Sequence, residues 1–219
     1  MSKRAGFFVV IEGPSGVGKS TVTALLHEAL TSRGYPVLAT KEPSDSALGK
    51  LARQGTDEYR GVVLACLVTA DRYYHLAHDI QPALRAGYVV ICDRYVPTSL
   101  VLQRIDGVEP AMLAQLNQYA NTPDLTVILT GEPQQSEQRA VDRGVYSRFH
   151  HGGTAARVVE DRLYRDVVHQ LRERGEAVLH HEIKDDPPDA VAAVLLQAVL
   201  ERLNPPQAAE ASEARTNES

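Results

Sequence analysis

A glycine-rich segment near the start of the chain carries the residue types that bind a phosphate chain. Residues 13–20 read GPSGVGKS, which fits the pattern G-x-x-x-x-G-K-[ST]. The segment lies between an apolar, β-favouring run and a helical pattern, which is the context this motif requires. Its glycines let backbone N–H groups turn toward phosphate oxygens, and the dipole of the following helix favours their negative charge.

The chemistry predicted for this segment is the binding of ATP together with Mg²⁺. The amine of Lys19 is expected to reach the β- and γ-phosphates. The hydroxyl of Ser20 is expected to bind Mg²⁺, because a hard cation prefers oxygen ligands. A glycine-rich turn with a solvated lysine is the alternative interpretation. The predicted ATP-binding residues are Gly13, Pro14, Ser15, Gly16, Val17, Gly18, Lys19, Ser20 and Thr21.

Two charged residues follow a second apolar run. Residues 88–92 read YVVIC and are followed by Asp93 and Arg94. In open α/β sheets, ligands bind beyond the carboxyl ends of the parallel strands. Asp93 is therefore predicted as a second magnesium residue, acting through a bound water, and Arg94 as a catalytic cation that binds a phosphate through its guanidinium. A surface ion pair between the two side chains is the alternative.

The elements that must position these residues form a repeating pattern. Short apolar runs alternate with helical stretches, which predicts an α/β fold of the P-loop NTPase type, with a parallel sheet of about five strands flanked by helices. The predicted strands are residues 7–11, 35–40, 87–92, 125–130 and 177–181. Residues 61–77 are apolar nearly all round and predict a core helix, and a last amphipathic helix follows Pro188.

Composition excludes several classes of protein. The 219 residues carry 23 Lys and Arg against 28 Asp and Glu, a formal charge of −5, which argues against a nucleic-acid partner. No apolar run approaches the ~20 residues that span a bilayer, so no membrane partner is expected. The two cysteines, Cys66 and Cys92, are expected to be buried thiols of a cytoplasmic protein.

Taken together, the motifs resemble those of the thymidylate kinase family. They occur in the order and spacing of that family over roughly residues 7–200. They are Glu12 to Ser20, Lys41-Glu42-Pro43, Ala70-Asp71-Arg72, Asp93-Arg94-Tyr95 and the arginine-rich stretch Arg139 to Arg148. The resemblance implies a nucleoside monophosphate kinase core that transfers the γ-phosphoryl group of ATP to dTMP with Mg²⁺. It also implies a homodimer, and the apolar helix 61–77 is the surface expected to form it.

The resemblance also implies roles for individual residues. Arg94 is expected to bind the acceptor phosphate, and Arg72 to contact the acceptor nucleotide. Arg143 and Arg148 are expected to be catalytic arginines of a lid over about residues 143–153, which closes over the transferring phosphoryl group. A kinase-like domain is expected over residues 1–203, and a tail over residues 204–219 is expected to be disordered because it lacks large apolar side chains. The predicted acceptor-binding residues are Glu42, Pro43, Val68, Arg72, Arg94, Tyr95 and Ser99.

Three departures from the family pattern fall on the acceptor side. Ser15 stands where the family usually has an Asp or Glu that approaches the acceptor sugar. Val68 stands where a Phe stacks on thymine, and Leu102 where an aromatic residue crowds the sugar. Base–aromatic stacking is worth ~1–3 kcal/mol, so the loss of the Phe is expected to weaken a thymine ligand unless another group compensates.

Two other functions remain open at the level of sequence. The acceptor could instead be a nucleoside, a phosphonate or another small phosphorylated metabolite. A hydroxyl acceptor needs a general base, for which Asp93 or Glu42 is the candidate. The chain could also be a non-catalytic regulator that uses its phosphate loop as a switch, in which case nucleotide binding without transfer is expected.

Overall fold

The sheet is the part of the fold that aligns the predicted functional residues. The computed structural model describes residues 6–142, 149 and 153–204. The strands are β1 (Phe7–Glu12), β2 (Val37–Lys41), β3 (Val89–Asp93), β4 (Leu125–Gly131) and β5 (Val178–Ile183). They pair in the order β2-β3-β1-β4-β5, and each neighbouring pair is parallel. This confirms the predicted α/β fold with a five-stranded parallel sheet.

Helices cover both faces of this sheet. Their bounds are α1 (Lys19–Thr31), α2 (Ala47–Gln54), α3 (Gly61–His75), α4 (Gln81–Arg85), α5 (Val96–Ile105), α6 (Pro110–Leu116), α7 (Pro133–Asp142), α8 (Gly153–Glu173) and α9 (Pro188–Leu203). A π-helical turn, Leu76–Ile80, joins α3 to α4. On β1, Val9 packs toward the core beside α1 and α9, whereas Val10 packs with the π-helical turn on the opposite face. A strand buried on both faces explains the unbroken apolar run.

The register brings the motif-bearing strand ends together. Asp93 at the end of β3 lies beside Ile11 of β1 on one side and Lys41 of β2 on the other. The loops that follow β1, β2 and β3 therefore leave the sheet at the same edge. This is the carboxyl-end edge at which open α/β sheets bind their ligands.

The predicted core helix 61–77 differs from expectation in two respects. It ends as an α-helix at His75, two residues before the predicted end, and the chain continues into the π-helical turn. One of its faces is not buried: Val62 is 45% exposed, Val63 is 56% exposed, and Cys66 is exposed as well. The prediction that Cys66 is buried was therefore wrong, because its apolar neighbours lie on a face that no described element covers. Cys92 is buried, as predicted.

No helix among residues 6–142 and 153–204 is long and apolar enough to cross a membrane.

Candidate active site

The phosphate loop joins β1 to α1 through a tightly packed turn. Gly13 and Gly16 adopt φ values of 141° and 85°, in the region that favours glycine. A Cβ at Gly13 would lie 2.2 Å from Leu129 O, and one at Gly16 would lie 1.8 Å from Ser136 O. The loop thus presses against β4 and α7. No side chain caps the start of α1, so its backbone N–H groups remain available to phosphate oxygens.

Lys19 lies across the phosphate loop in this structure. Its Nζ donates hydrogen bonds to Gly13 O and Pro14 O, both at 2.8 Å, and the residue is 6% exposed. Burial, and next the nearby Arg94 guanidinium, lower the pKa of Lys19 to about 7. A buried cation held mainly by carbonyls is poorly neutralised, so the loop is electrostatically suited to an anionic ligand.

The two predicted magnesium residues meet at the end of β3. The Ser20 hydroxyl donates a hydrogen bond to Asp93 Oδ2 at 2.7 Å, across 73 positions of sequence. The other carboxylate oxygen, Asp93 Oδ1, is buried and has no hydrogen-bond partner among the described residues. A hydroxyl beside a carboxylate with one unused oxygen is a set of hard oxygen donors that fits Mg²⁺.

Arg94 follows Asp93 in the chain and lines the same cavity. Its Nη1 donates hydrogen bonds to Thr98 Oγ1 at 3.2 Å and to Tyr164 OH at 3.3 Å. Both partners are neutral, so the guanidinium keeps its charge available to an anion. Arg94 and Lys19 line one cavity with a volume of about 440 Å³.

This cavity, here called the acceptor cavity, also contains most of the predicted acceptor residues. Phosphate-loop residues close one end of it, and α2, α3 and α5 form its walls. The predicted residues that line it are Ser15, Gly16, Lys19, Ser20, Glu42, Pro43, Val68, Arg72, Asp93, Arg94 and Tyr95. Ser99 lies behind Arg72 instead and accepts a hydrogen bond from Arg72 Nη2 at 3.1 Å. Gly13, Pro14, Val17, Gly18 and Thr21 belong to the loop but are not part of the cavity lining.

Arg72 is held by protein partners on nearly every side. Its Nε donates to Glu42 Oε2 at 2.8 Å, and its Nη atoms donate to Asn117 Oδ1, Tyr95 O and Ser99. The residue is 1% exposed. A guanidinium with this many internal partners is fixed in place, and its ion pair with Glu42 neutralises its charge, so Arg72 contributes a rigid polar surface to the acceptor cavity.

Some predicted residues lie outside the described part of the chain. Arg143 and Arg148 are among them, so the predicted lid over about residues 143–153 is represented here only by Phe149 and Gly153. Arg157, a further arginine on α8, is 1% exposed. It pairs with Glu160 and with Glu137 and donates a hydrogen bond to Phe149 O.

Comparison with known proteins identifies the family. The family model described as thymidylate kinase matches residues 11–163. The chain belongs to the thymidylate kinase family. It is 41% identical over 152 residues to a probable thymidylate kinase of Pyrococcus horikoshii, covering 66% of this chain and 74% of that protein. It is 34% identical over 196 residues to a probable thymidylate kinase of Pyrobaculum aerophilum, covering 88% of this chain and 97% of that protein.

Within this thymidylate kinase fold, a carboxylate from α8 lies beside the departure at Ser15. Glu160 is buried, lines the acceptor cavity, and its Oε1 accepts a hydrogen bond from Ser15 N–H at 3.1 Å. Its other oxygen pairs with Arg157. The cavity therefore contains an acidic group next to the phosphate loop although the loop itself has a serine. Sequence reasoning missed Glu160, because its partner is 145 positions away.

An aromatic ring similarly lies beside the departure at Val68. Phe149 packs with the cluster of Ala52, Leu64 and Val68, and it lines the acceptor cavity. Leu102 lines the same cavity. The α3 side of the cavity is thus aliphatic, where the thymidylate kinase pattern has an aromatic residue, and the aromatic ring of Phe149 packs against it.

Two further residues of the acceptor cavity carry a buried polar atom without a described partner: Gln103, which was not predicted as functional, and Tyr95, which was predicted to bind the acceptor. Gln103 is buried on α5, and its Oε1 has no hydrogen-bond partner among the described residues. The hydroxyl of Tyr95 is likewise buried without a described partner. Both residues line the cavity. A buried amide oxygen without a partner costs free energy unless a ligand donates a hydrogen bond to it, so Gln103 is a candidate for recognising a polar group of the ligand.

Proposed function

We propose that this nucleotide kinase transfers the γ-phosphoryl group of ATP to dTMP. The observation that carries the proposal is the acceptor cavity, which joins the phosphate-loop Lys19 to Arg94 and then to an apolar wall. A donor phosphate at Lys19 and an acceptor phosphate at Arg94 would share one cavity. That arrangement suits direct in-line transfer between two phosphates.

The donor end is assigned to the phosphate loop. Lys19 would exchange its two carbonyl partners for phosphate oxygens as ATP enters. Ser20 and Asp93 would hold Mg²⁺, directly or through water. When bound, Mg²⁺ supplies charge neutralisation and orientation of the transferring group. Arg143 and Arg148, the proposed lid arginines, would add guanidinium donors as the site closes.

The acceptor end needs no general base. A phosphate acceptor is already anionic at neutral pH, so binding and orientation suffice. Glu42, one of the two candidate bases for a hydroxyl acceptor, bonds to Arg72 through Oε2 and lies 3.4 Å from His75 through Oε1. A carboxylate occupied on both oxygens is poorly placed to remove a proton. Asp93, the other candidate base, is assigned to Mg²⁺ together with Ser20, so a monophosphate acceptor is favoured over a nucleoside.

The panel that tests the proposal compares pyrimidine monophosphates. We expect ADP release with dTMP to exceed that with dUMP, UMP and CMP, measured in a coupled assay with ATP and Mg²⁺. Turnover with none of these monophosphates would contradict the proposal. Tight ATP binding without transfer to any of them would favour the non-catalytic regulator instead.

Replacing Gln103 with leucine is expected to raise the KM for dTMP by about tenfold to a hundredfold, because a thymine imide would lose its hydrogen-bonding partner. The KM for ATP should change by less than about twofold, since Gln103 lies on α5 and not in the phosphate loop. Steady-state kinetics with each substrate varied in turn measure both values. The matched control is Gln197→Leu on the exposed side of α9, and equal KM values for dTMP in the two variants would contradict the role of Gln103.

We propose that a second copy of the chain covers the exposed face of α3. Val62, Val63 and Cys66 lie exposed on one apolar helix, and Tyr74 near its end is 45% exposed. The first ten residues of α3, Gly61–Ala70, contain no charged side chain. Such a face is costly to leave in water.

The substitution Val63→Arg is expected to convert a homodimer into monomers, because it places an unpaired charge at the centre of the covered face. Light scattering at micromolar protein concentration measures the change in mass. Val159→Arg is the control, since Val159 is 50% exposed on α8 and outside the proposed interface. A monomeric unmodified protein, or dissociation by both substitutions alike, would contradict the proposed interface.

A further inference from the structure

Arg94 has an unusual backbone conformation for a residue with a side chain. Among the described residues it is the one non-glycine residue with positive φ, at 76°. This region is sterically unfavourable for residues with a Cβ, and they persist there only when surrounding contacts hold them. Because the Arg94 guanidinium lines the acceptor cavity, whatever holds this backbone also sets where the guanidinium points.

The end of β1 holds the chain on both sides of Arg94. The Arg94 N–H donates a hydrogen bond to Ile11 O at 3.0 Å. The next N–H, that of Tyr95, donates to Glu12 Oε1 at 2.6 Å. Glu12 is 0% exposed. Two consecutive residues of one buried strand thus fix the two N–H groups that flank the strained residue.

The same carboxylate caps the helix that follows. The start of α5 has no side-chain cap of its own, and Pro97 in its first turn has no N–H. Thr98 N–H donates to Glu12 Oε1 at 3.3 Å. A carboxylate at this position satisfies N–H groups of the first turn and interacts favourably with the positive end of the helix dipole. Glu12 therefore ties the Arg94 loop and the start of α5 to β1.

Glu12 also reaches the Arg94 guanidinium through two shared hydroxyls. Its Oε2 accepts hydrogen bonds from Thr98 Oγ1 at 2.7 Å and from Tyr164 OH at 3.4 Å. These are the two oxygens to which Arg94 Nη1 donates. One carboxylate thus orients both the backbone and the side chain of Arg94.

We propose that Glu12 is a positioning residue for the acceptor phosphate, acting through Arg94. Glu12 is not part of the cavity lining, so replacing it can change acceptor binding only through residues that do line the cavity. The inference rests on the proposed function for the identity of the acceptor, dTMP. In this proposal, the buried carboxylate of Glu12 in β1 sets the backbone conformation and the side-chain direction of Arg94.

The kinetic test uses Glu12→Gln, which replaces one carboxylate oxygen with an amide N–H₂ group. In the unmodified protein both oxygens accept hydrogen bonds, Oε1 from Tyr95 N–H and Oε2 from the Thr98 hydroxyl, so the N–H₂ group must face one of these donors. We expect the KM for dTMP to rise by at least about tenfold while the KM for ATP stays within about twofold. Glu12→Asp, which keeps the charge and both oxygens, should recover part of this loss. In an Arg94→Lys background, Glu12→Gln should add less than about twofold, because the group it positions is already altered.

The matched control is Asp124→Asn. Asp124 Oδ2 accepts a hydrogen bond from Phe8 N–H at 2.7 Å, at the opposite end of β1 from the acceptor cavity. If Glu12 serves folding alone, both variants should change the KM values for dTMP and ATP together. An unchanged KM for dTMP in Glu12→Gln, or the same fold-change with and without Arg94→Lys, would overturn the proposal. Should Glu12→Gln fold poorly, Thr98→Val removes the shared hydroxyl and should raise the KM for dTMP selectively.

A structural readout separates this inference from the identity of the substrate. In a crystal structure of Glu12→Gln, we expect Arg94 to leave the left-handed region or its guanidinium to leave Thr98 and Tyr164. An Arg94 unchanged in both respects overturns the positioning role, whichever nucleotide the enzyme uses. Failure of the unmodified enzyme to phosphorylate dTMP would instead contradict the proposed function.

Discussion

Replacing Arg94 with methionine is expected to lower kcat/KM for dTMP by roughly a thousandfold, the scale seen when a transition-state charge loses a preorganised donor. Arg94 lines the acceptor cavity, and its Nη1 bonds only to the neutral oxygens of Thr98 and Tyr164 among the described residues. Its charge is therefore available to the acceptor phosphate. Steady-state kinetics with dTMP varied at saturating ATP measure the loss.

The matched control for Arg94 is Arg104→Met on the same side of the fold. Arg104 lies in the last turn of α5, and its side chain is 36% exposed in a loose pair with Asp166 at 3.8 Å. We expect this control to keep kcat/KM within about twofold, as exposed pairs contribute little. A loss of less than about tenfold for Arg94→Met, or equal losses in both variants, would contradict the assignment of Arg94 to the acceptor phosphate.

Replacing Lys19 with methionine is expected to have opposite effects on catalysis and on stability. Transfer should fall by at least about a thousandfold, because the β- and γ-phosphates lose their cation. The free energy of unfolding without nucleotide should instead rise at pH 6, on the order of 2 kcal/mol, because a poorly neutralised buried charge is removed. The hydrophobic methionine has nearly the length of the lysine stem.

The stability difference between Lys19→Met and the unmodified protein depends on pH. Burial lowers the pKa of Lys19 to about 7, below the ordinary value of 10.5 that the unfolded chain keeps. Between these values the unfolded chain binds a proton that the folded chain does not, so the free energy of unfolding rises with pH across that window. Below pH 7 the full penalty is present. The stability advantage of Lys19→Met should therefore be largest near pH 6 and shrink toward pH 10.

Urea unfolding of both proteins at pH 6 and pH 9 measures this difference. Lys50→Met, on the exposed side of α2, is the control and should leave the pH slope unchanged. A Lys19→Met variant less stable than the unmodified protein at pH 6, or one with the same pH slope, would contradict the account of Lys19 as a destabilised cation held ready for ATP.

The phosphate-loop end of the site could be predicted from the sequence because its residues are close together in the chain. The motif at residues 13–20 combines a glycine-rich turn with a helix start, and both are properties of neighbouring residues. The meeting of Ser20 with Asp93 also followed from local patterns, since parallel strands end at one edge of a sheet. The apolar run of β1 located that strand to within one residue of its observed end.

The acceptor side could not be read in the same way, because its decisive contacts join distant parts of the chain. Glu160 reaches Ser15 from α8, and Phe149 reaches Val68 from the region before that helix. From the sequence, Ser15 and Val68 therefore indicated the loss of a carboxylate and of an aromatic ring. The fold instead places Glu160 beside Ser15 and Phe149 beside Val68. The burial of Arg157 has the same origin, since its ion pairs with Glu137 and Glu160 need the packed α7 and α8.

The measurement that tests the central claim most directly is the transfer of label from γ-labelled ATP, with Mg²⁺, to dTMP and in parallel to thymidine. If Arg94 binds an acceptor phosphate beside Lys19, label should appear in dTDP, and thymidine should accept it at least about a hundredfold more slowly. Labelled dTMP formed from thymidine at a comparable or higher rate would contradict the account.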